Sequence, residues 1–244
     1  MNGFQHAAAL APVVKYDKRY AKAMGKWMLN LANASRLFYV DDLPSDNQQA
    51  ASRTWSVAND PQASIPFESI KEVWNGKTPF AMGDAVRGGW APTDLSLYSG
   101  SSVGYMASII EKTNVEGILQ IDLNKTDFRG KNTYPNYLYF NPNSTAETVS
   151  LSLPTGSYNI YDAISETVIL SNVSGNTSFS IPAQDVRLLV IYPAESTTET
   201  EGRILKVAGG GVIDYHKGYN YSPSFRIKSF SADKYQVMTA DVVN

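Results

Sequence analysis

Two polar stretches of this chain hold the residue types that could act on a polar ligand. The first, Val40 to Ser64, offers Asp41, Asp42 and Asp46, with Trp55 further along. The second, Lys77 to Ser99, reads KTPFAMGDAVRGGWAPTDLSLYS and offers Asp84 and Asp94 with Arg87, Trp90 and Tyr98 close in sequence. Two carboxylates flanking a scissile bond are what glycoside hydrolysis uses, one protonated as acid and one ionised. A sugar ring presents an apolar face that suits an indole, and hydroxyls that suit arginine and aspartate. On these grounds Asp84, Asp94 and Asp42 are the catalytic candidates, and Trp90, Arg87, Trp55 and Tyr98 the substrate-binding candidates. The same acids also fit turns and helix ends, and Trp90 equally fits a loop anchor. Trp27 and Trp74 lie on helical stripes and read as core. A lyase would instead recruit Tyr98, Tyr105, Arg87 or His6 as base and neutraliser.

Composition removes other chemistries. The 244 residues include no cysteine and two histidines, His6 and His216, so thiol catalysis, disulfides and a His- or Cys-based metal site are not expected. No cofactor is expected either: Gly209–Gly211 lacks the lysine and the strand–helix context of a phosphate loop. A net charge of −2 gives no basic field for nucleic acid. No run approaches the roughly 18 apolar residues of a membrane span. The opening MNGFQHAAALAPVVKYD lacks a basic region before its short apolar run and does not read as a signal peptide.

The elements that must position these residues change character near Asn114. Before it the apolar period is helical. Phe4 to Val14 predicts a short helix broken by Pro12. Tyr20 to Phe38 predicts the clearest helix, with a stripe of Tyr20, Met24, Trp27, Leu31, Ala34 and Phe38. A third helix is expected between Pro66 and Gly76, carrying Phe67, Ile70, Val73 and Trp74, and a fourth over Ser101 to Lys112 with Val103, Met106, Ala107 and Ile110 inward. Val40 to Ser64 predicts a long loop with at most a turn of helix. After Asn114 the period is two. Leu119, Ile121 and Leu123 alternate with polar residues, and six further strands follow between Asn136 and Tyr192, separated by turn residues. That spacing predicts a sandwich or barrel. AESTTETEG predicts a solvated linker, and the last twenty residues alternate again.

Three segments resemble known architecture. KYDKRYAKAMGKWMLNLANASRLFY resembles a helix of the α/α-toroid domains of bacterial glycoside hydrolases and polysaccharide lyases. VSLSLPTGSYNIYDAISETVILSNVSGNTSFSIPAQDVRLLVIYPA resembles the β-sandwich that closes many of those enzymes, and IKSFSADKYQVMTADVV resembles the opening of an immunoglobulin-like repeat. The resemblance implies an α+β chain of two parts, partial toroid helices followed by an antiparallel β-sandwich. The implied divisions are 1–114 for the helices, 115–193 for the sandwich, 194–202 for the linker and 203–244 for the start of an immunoglobulin-like domain. It further implies the C-terminal portion of a secreted, periplasmic or cell-surface bacterial enzyme acting on a polysaccharide or oligosaccharide. The missing toroid helices would lie elsewhere in a longer protein. Two helical hairpins are too few for a toroid, so the alternative is that the helices pack directly on the sandwich. A non-catalytic carbohydrate-binding or surface-interaction module is the competing reading, with Tyr137, Tyr139, Tyr158 and Tyr161 as its candidate aromatic face. A polysaccharide lyase fragment is another.

Overall fold

The computed structural model describes residues 2–130, 133–218, 226–232 and 238–243. Pro12 divides the first helical stretch, as its missing N–H and fixed φ require, into α1 (Asn2–Leu10) and α2 (Val13–Tyr16). A 3₁₀ turn at Lys18–Tyr20 leads into α3 (Ala21–Ser35), and a second at Arg36–Phe38 ends it. The buried stripe of α3 is Ala21, Met24, Gly25, Met28 and Leu29. It is rotated from the expected one: Tyr20 is exposed and Trp27 half-buried. The reason is that small residues let the helix approach the sheet closely. An added Cβ on Gly25 would sit 2.5 Å from the Cβ of Phe140.

The expected loop over 40–64 contains a helix, α4 (Ala50–Asn59), started by Gln49, whose side-chain oxygen accepts from the Ser52 N–H at 2.6 Å. The expected third helix is absent. Its residues form strand β1 (Ser69–Lys71), antiparallel to β2 (Phe80–Met82). Between them Asn75 and Gly76 both take positive φ, 47° and 73°, and Trp74 and Lys77 exchange backbone hydrogen bonds. This is a two-residue hairpin turn of the kind Asn-Gly favours. A one-turn helix, α5 (Ala85–Gly88), and α6 (Leu97–Ala107) follow. The expected fourth helix is displaced: α6 starts earlier, Ala107 is exposed, and Ile110–Lys112 is already strand β3.

The β region holds β4 (Leu119–Asp122), β5 (Asn136–Phe140), β6 (Glu147–Ser152), β7 (Tyr158–Asp162), β8 (Thr167–Val173), β9 (Asn176–Ile181) and β10 (Val186–Pro193). β3-β4-β5-β10-β7-β8 form a six-stranded sheet, and β6 pairs with β9 in a second; every pairing is antiparallel. The stretch expected as a linker carries β11 (Thr198–Glu201). It joins β12 (Ile204–Val207) and β13 (Val212–Asp214) in a three-stranded sheet. Alternating Thr and Glu can be solvated on both faces and still pair through the backbone. β14 (Arg226–Ala232) and β15 (Met238–Val243) form an antiparallel hairpin. The rest of the expected immunoglobulin-like opening, 233–237 and 244 among it, lies outside the described residues.

The chain is thus mixed α+β with antiparallel sheets. The packing places the helices on the sheet itself rather than in a ring. On one face of the large sheet Leu138, Phe140, Val186, Leu188 and Val190 share a core with Phe4, Met24, Met28 and Met106. On the other face Tyr139, Ile160, Leu189 and Ile191 meet Val149, Leu151, Phe179 and Ile181 of the small sheet. Leu188 and Leu189 are both fully buried because β10 is covered on both sides, which explains its unbroken apolar run. Outside, Leu10, Val13, Tyr20, Ala23 and Trp27 line an open apolar hollow of about 560 Å³ on the helices. A toroid is not among the described arrangements.

Candidate functional site

The segment 83–94 rides on a small satellite core. Val40, Phe67 and Ala81 are buried together, with Leu43, Ile70 and Leu95 packed against them. Phe67 bridges to Leu95, and the β1–β2 hairpin supplies the floor. Gln48 closes the layer beneath by donating from Nε2 to the carbonyls of Val40 at 2.8 Å and Leu43 at 2.6 Å.

The structure treats the three catalytic candidates differently. Asp94 is 1% exposed. Its Oδ1 accepts from the Val86 N–H at 2.9 Å, which caps the free N-terminus of α5. Its own N–H donates to the Ser52 Oγ at 2.7 Å, and its carbonyl accepts from the Glu68 N–H at 2.8 Å. Through its carboxylate and its backbone this residue ties together α5, α4 and Glu68 at the edge of β1, and its side chain is buried away from any ligand. Asp84, at the start of α5, makes no cap of its own. It turns outward to Arg87 instead, with Nη2 to Oδ1 at 2.7 Å and both side chains about half exposed. Asp42 is exposed and 3.9 Å from Arg36. Asp84 and Asp94 therefore do not present a pair of carboxylates to a shared substrate.

The binding candidates divide as well. Arg87 lies over the Trp74 ring, 5.8 Å from its centroid, a cation–π distance. Trp74 was expected in a helical core, yet it stands at the hairpin turn. Trp90 is 67% exposed and its indole lies over Gly88. Asp84, Arg87 and Trp74 thus form one chain of contacts, and the exposed Trp90 indole lies on the same turn over Gly88. Trp55 is exposed on α4, and Tyr98, exposed on α6, contacts Gln5 at 3.3 Å; no contact joins either to that cluster. Of the four sandwich tyrosines, Tyr139 and Tyr161 are buried on opposite faces of the sheet, whereas Tyr137 and Tyr158 are half-buried.

Two polar clusters escape a reading of the sequence. Lys15, 3% exposed, donates to Asn124 and Asp127, each at 2.8 Å, and the Tyr16 hydroxyl donates to Asp127 at 2.7 Å. Burial pushes the Asp127 carboxyl up, but Lys15, Tyr16 and the Gly130 N–H outweigh it and hold the group below its ordinary range. Lys18 donates to Asp214 at 2.7 Å and Glu166 at 3.0 Å, and the Tyr161 hydroxyl donates to Asp214 at 2.9 Å. Burial and then the Asp214 charge push the Tyr161 hydroxyl well up. These are clamps: they pin the segment between α1 and α3 to residues of the β region more than a hundred positions away. Their only sequence signal is two lysines three apart in VVKYDKRY. Among the described residues no group of histidine, aspartate and glutamate is arranged to hold a metal.

No protein-family model and no curated protein matches the chain in sequence. Among solved structures, α-galactosidase I from Mortierella vinacea aligns with 48% of this chain at 17% identity and a TM-score of 0.25. The alignment spans about a third of that enzyme (32%). A likeness this low supports neither a fold assignment nor a function. None of the described helices is long and apolar enough to cross a membrane.

Proposed function

We propose that this chain is a saccharide-binding portion of a carbohydrate-active protein, with the exposed surface of Trp74, Asp84, Arg87 and Trp90 as its site. The observation that carries this reading is the ion pair Asp84–Arg87, 2.7 Å, with Arg87 over the Trp74 ring and the Trp90 indole exposed on the same turn over Gly88. An indole exposed to 67% sacrifices burial worth about 1.5–3 kcal/mol for a large apolar side chain. A flat ligand with an apolar face restores it. The ion pair beside it offers both donors and acceptors for hydroxyls.

Hydrolysis by paired carboxylates, on a toroid of which these helices would be part, is the finer reading. It would need a second acid facing the ligand beside Asp84, because Asp94 is committed to Val86. Binding is therefore the better-supported activity. Purified residues 1–244 are expected to release little or no reducing sugar from polysaccharides. Rapid release would restore Asp84 and Asp42 as catalytic candidates.

Affinity electrophoresis in gels containing soluble polysaccharides tests the binding site. At least one polysaccharide should retard the protein. Trp90→Ala should weaken the retardation, and Arg87→Ala should also reduce it. Retardation left unchanged by Trp90→Ala, or no retardation by any polysaccharide, would sink the assignment.

A further inference from the structure

The small sheet is shorter than the face it covers, and the mismatch leaves a ledge. β6 and β9 stop at the pair Ser152–Asn176, with one further bond from the Leu153 N–H to the Gly175 carbonyl. Beyond that line the same face of the large sheet continues. It carries Tyr137 on β5 opposite Leu189, and Tyr158 on β7 opposite Pro193. Tyr139 and Ile160, a step further in, are fully buried beneath the small sheet. Tyr137 and Tyr158 are half-exposed because the cover ends.

The ledge is the floor of a cleft of about 540 Å³, walled by Tyr134, Pro135, Ser152 and Pro154. That volume lies within the range of small-ligand sites. The walls are held in place by the backbone. The Ile191 N–H donates to the Pro135 carbonyl at 3.0 Å, and the Ala194 N–H to the Ser157 carbonyl at 2.9 Å. The Tyr158 hydroxyl donates to the Thr155 carbonyl at 3.2 Å, and the Tyr134 ring rests on Tyr192 with centroids 6.3 Å apart. A ligand would therefore meet a preformed surface and lose little to ordering it. Tyr134 is also a wall of a second hollow, about 330 Å³, that runs between Thr133 and Gly209–Gly211. Among the described residues no charged side chain lines either space.

We propose that the Tyr134–Tyr137–Tyr158 cleft binds a neutral oligosaccharide, extending past Tyr134 toward the glycine triplet. Phenol and proline rings offer flat apolar contact to successive sugar rings, and the Tyr134, Tyr137 and Ser152 hydroxyls pair with sugar hydroxyls. Burial and then the charges of Asp122 and Glu111 push the Tyr137 hydroxyl up. It stays a donor at neutral pH, in a field that disfavours an acidic sugar. The proposal rests on the reading that the chain's ligand is a saccharide, but it uses residues remote in sequence from Trp90.

Titration of tyrosine-ring- and tryptophan-labelled protein with cello-, xylo- and mannohexaose, followed by NMR, tests it. Hexagalacturonate and a decaproline peptide serve as comparators. At least one neutral hexasaccharide should shift the Tyr137 and Tyr158 ring signals. Ser152→Arg, a substitution at an exposed position that fills the cleft, should weaken that binding about tenfold or more, and Tyr158→Ala should do the same. Trp90→Ala should leave the tyrosine shifts unchanged. If sugars shift only the Trp90 indole, the cleft is refuted and the Trp90 site stands. If no sugar shifts either set, both are wrong. Tyrosine shifts with decaproline alone, or with hexagalacturonate in preference to the neutral sugars, would also overturn the proposal.

Discussion

At the scale of single residues, the buried lysines carry more structural consequence than any candidate catalytic acid. Lys18 has 6% of its side chain exposed and Asp214 has 1%. Removing one partner of such a pair leaves a buried charge alone, which costs about 3–5 kcal/mol. Lys18→Met should therefore lower stability by about that amount in urea denaturation, and adding Asp214→Asn should recover part of it. Asp127 and Glu166 are both held below the ordinary carboxylate range. For Glu166, burial opposes the shift, while Lys18 and the Gly218 N–H drive it. The unfolded chain takes up these protons first as pH falls. Their stabilisation is complete above the unfolded carboxylate pKa, about 4, and is lost as pH drops through the lower folded values. Denaturation curves between pH 3 and pH 7 should show this decline, and Asp127→Asn should flatten it. Neither clamp is legible in sequence. Lysine is almost never buried unless paired, and the partners of Lys15 and Lys18 lie between 109 and 198 positions away. The candidate acids were legible as types but not as roles. Nothing local separates Asp94, which caps α5 from a position eight residues on, from Asp84, which faces solvent.

At the scale of elements, α3 is placed by its smallest residue. Gly25 rests on Phe140, so Gly25→Ala forces overpacking between helix and sheet, which costs about 1–3 kcal/mol. Thermal melting should show the loss, whereas Ala23→Ser, on the exposed side of the same helix, should be nearly neutral. The long helix and the strands after Asn114 were readable because their periods are sustained over many residues. The stripe of α3 differs from the expected one because its small residues, not its largest apolar ones, face the sheet. At Asn75-Gly76 the helix-end signals of Pro66 and Gly76 yield to a hairpin turn. The Asn-Gly pair was the stronger local signal. α4 leaves no apolar period in the sequence, because its apolar content is low and its burial falls on Ser52 and Ser56.

At the scale of the whole molecule, one core joins helices and sheet. Met24 and Met28 of α3 and Met106 of α6 are buried with Leu138 and Leu188. Helices and sheet should therefore unfold together, giving coincident transitions by far-ultraviolet circular dichroism and tyrosine fluorescence. Two separated transitions would instead mark residues 1–114 as an independent unit. The sequence by itself determined the order of the layers, the strands between Asn136 and Tyr192 and the exclusion of cysteine chemistry. Each of these follows from local period or composition. Tertiary structure alone decided that the helices lie on the sheet, that Asp94 is sealed while Trp90 is open, and that Tyr137 and Tyr158 border a cleft while Tyr139 and Tyr161 are buried. Those outcomes depend on where one layer ends above another, and on which distant backbone or charge reaches a side chain first. No residue carries that information in its own neighbourhood of the chain.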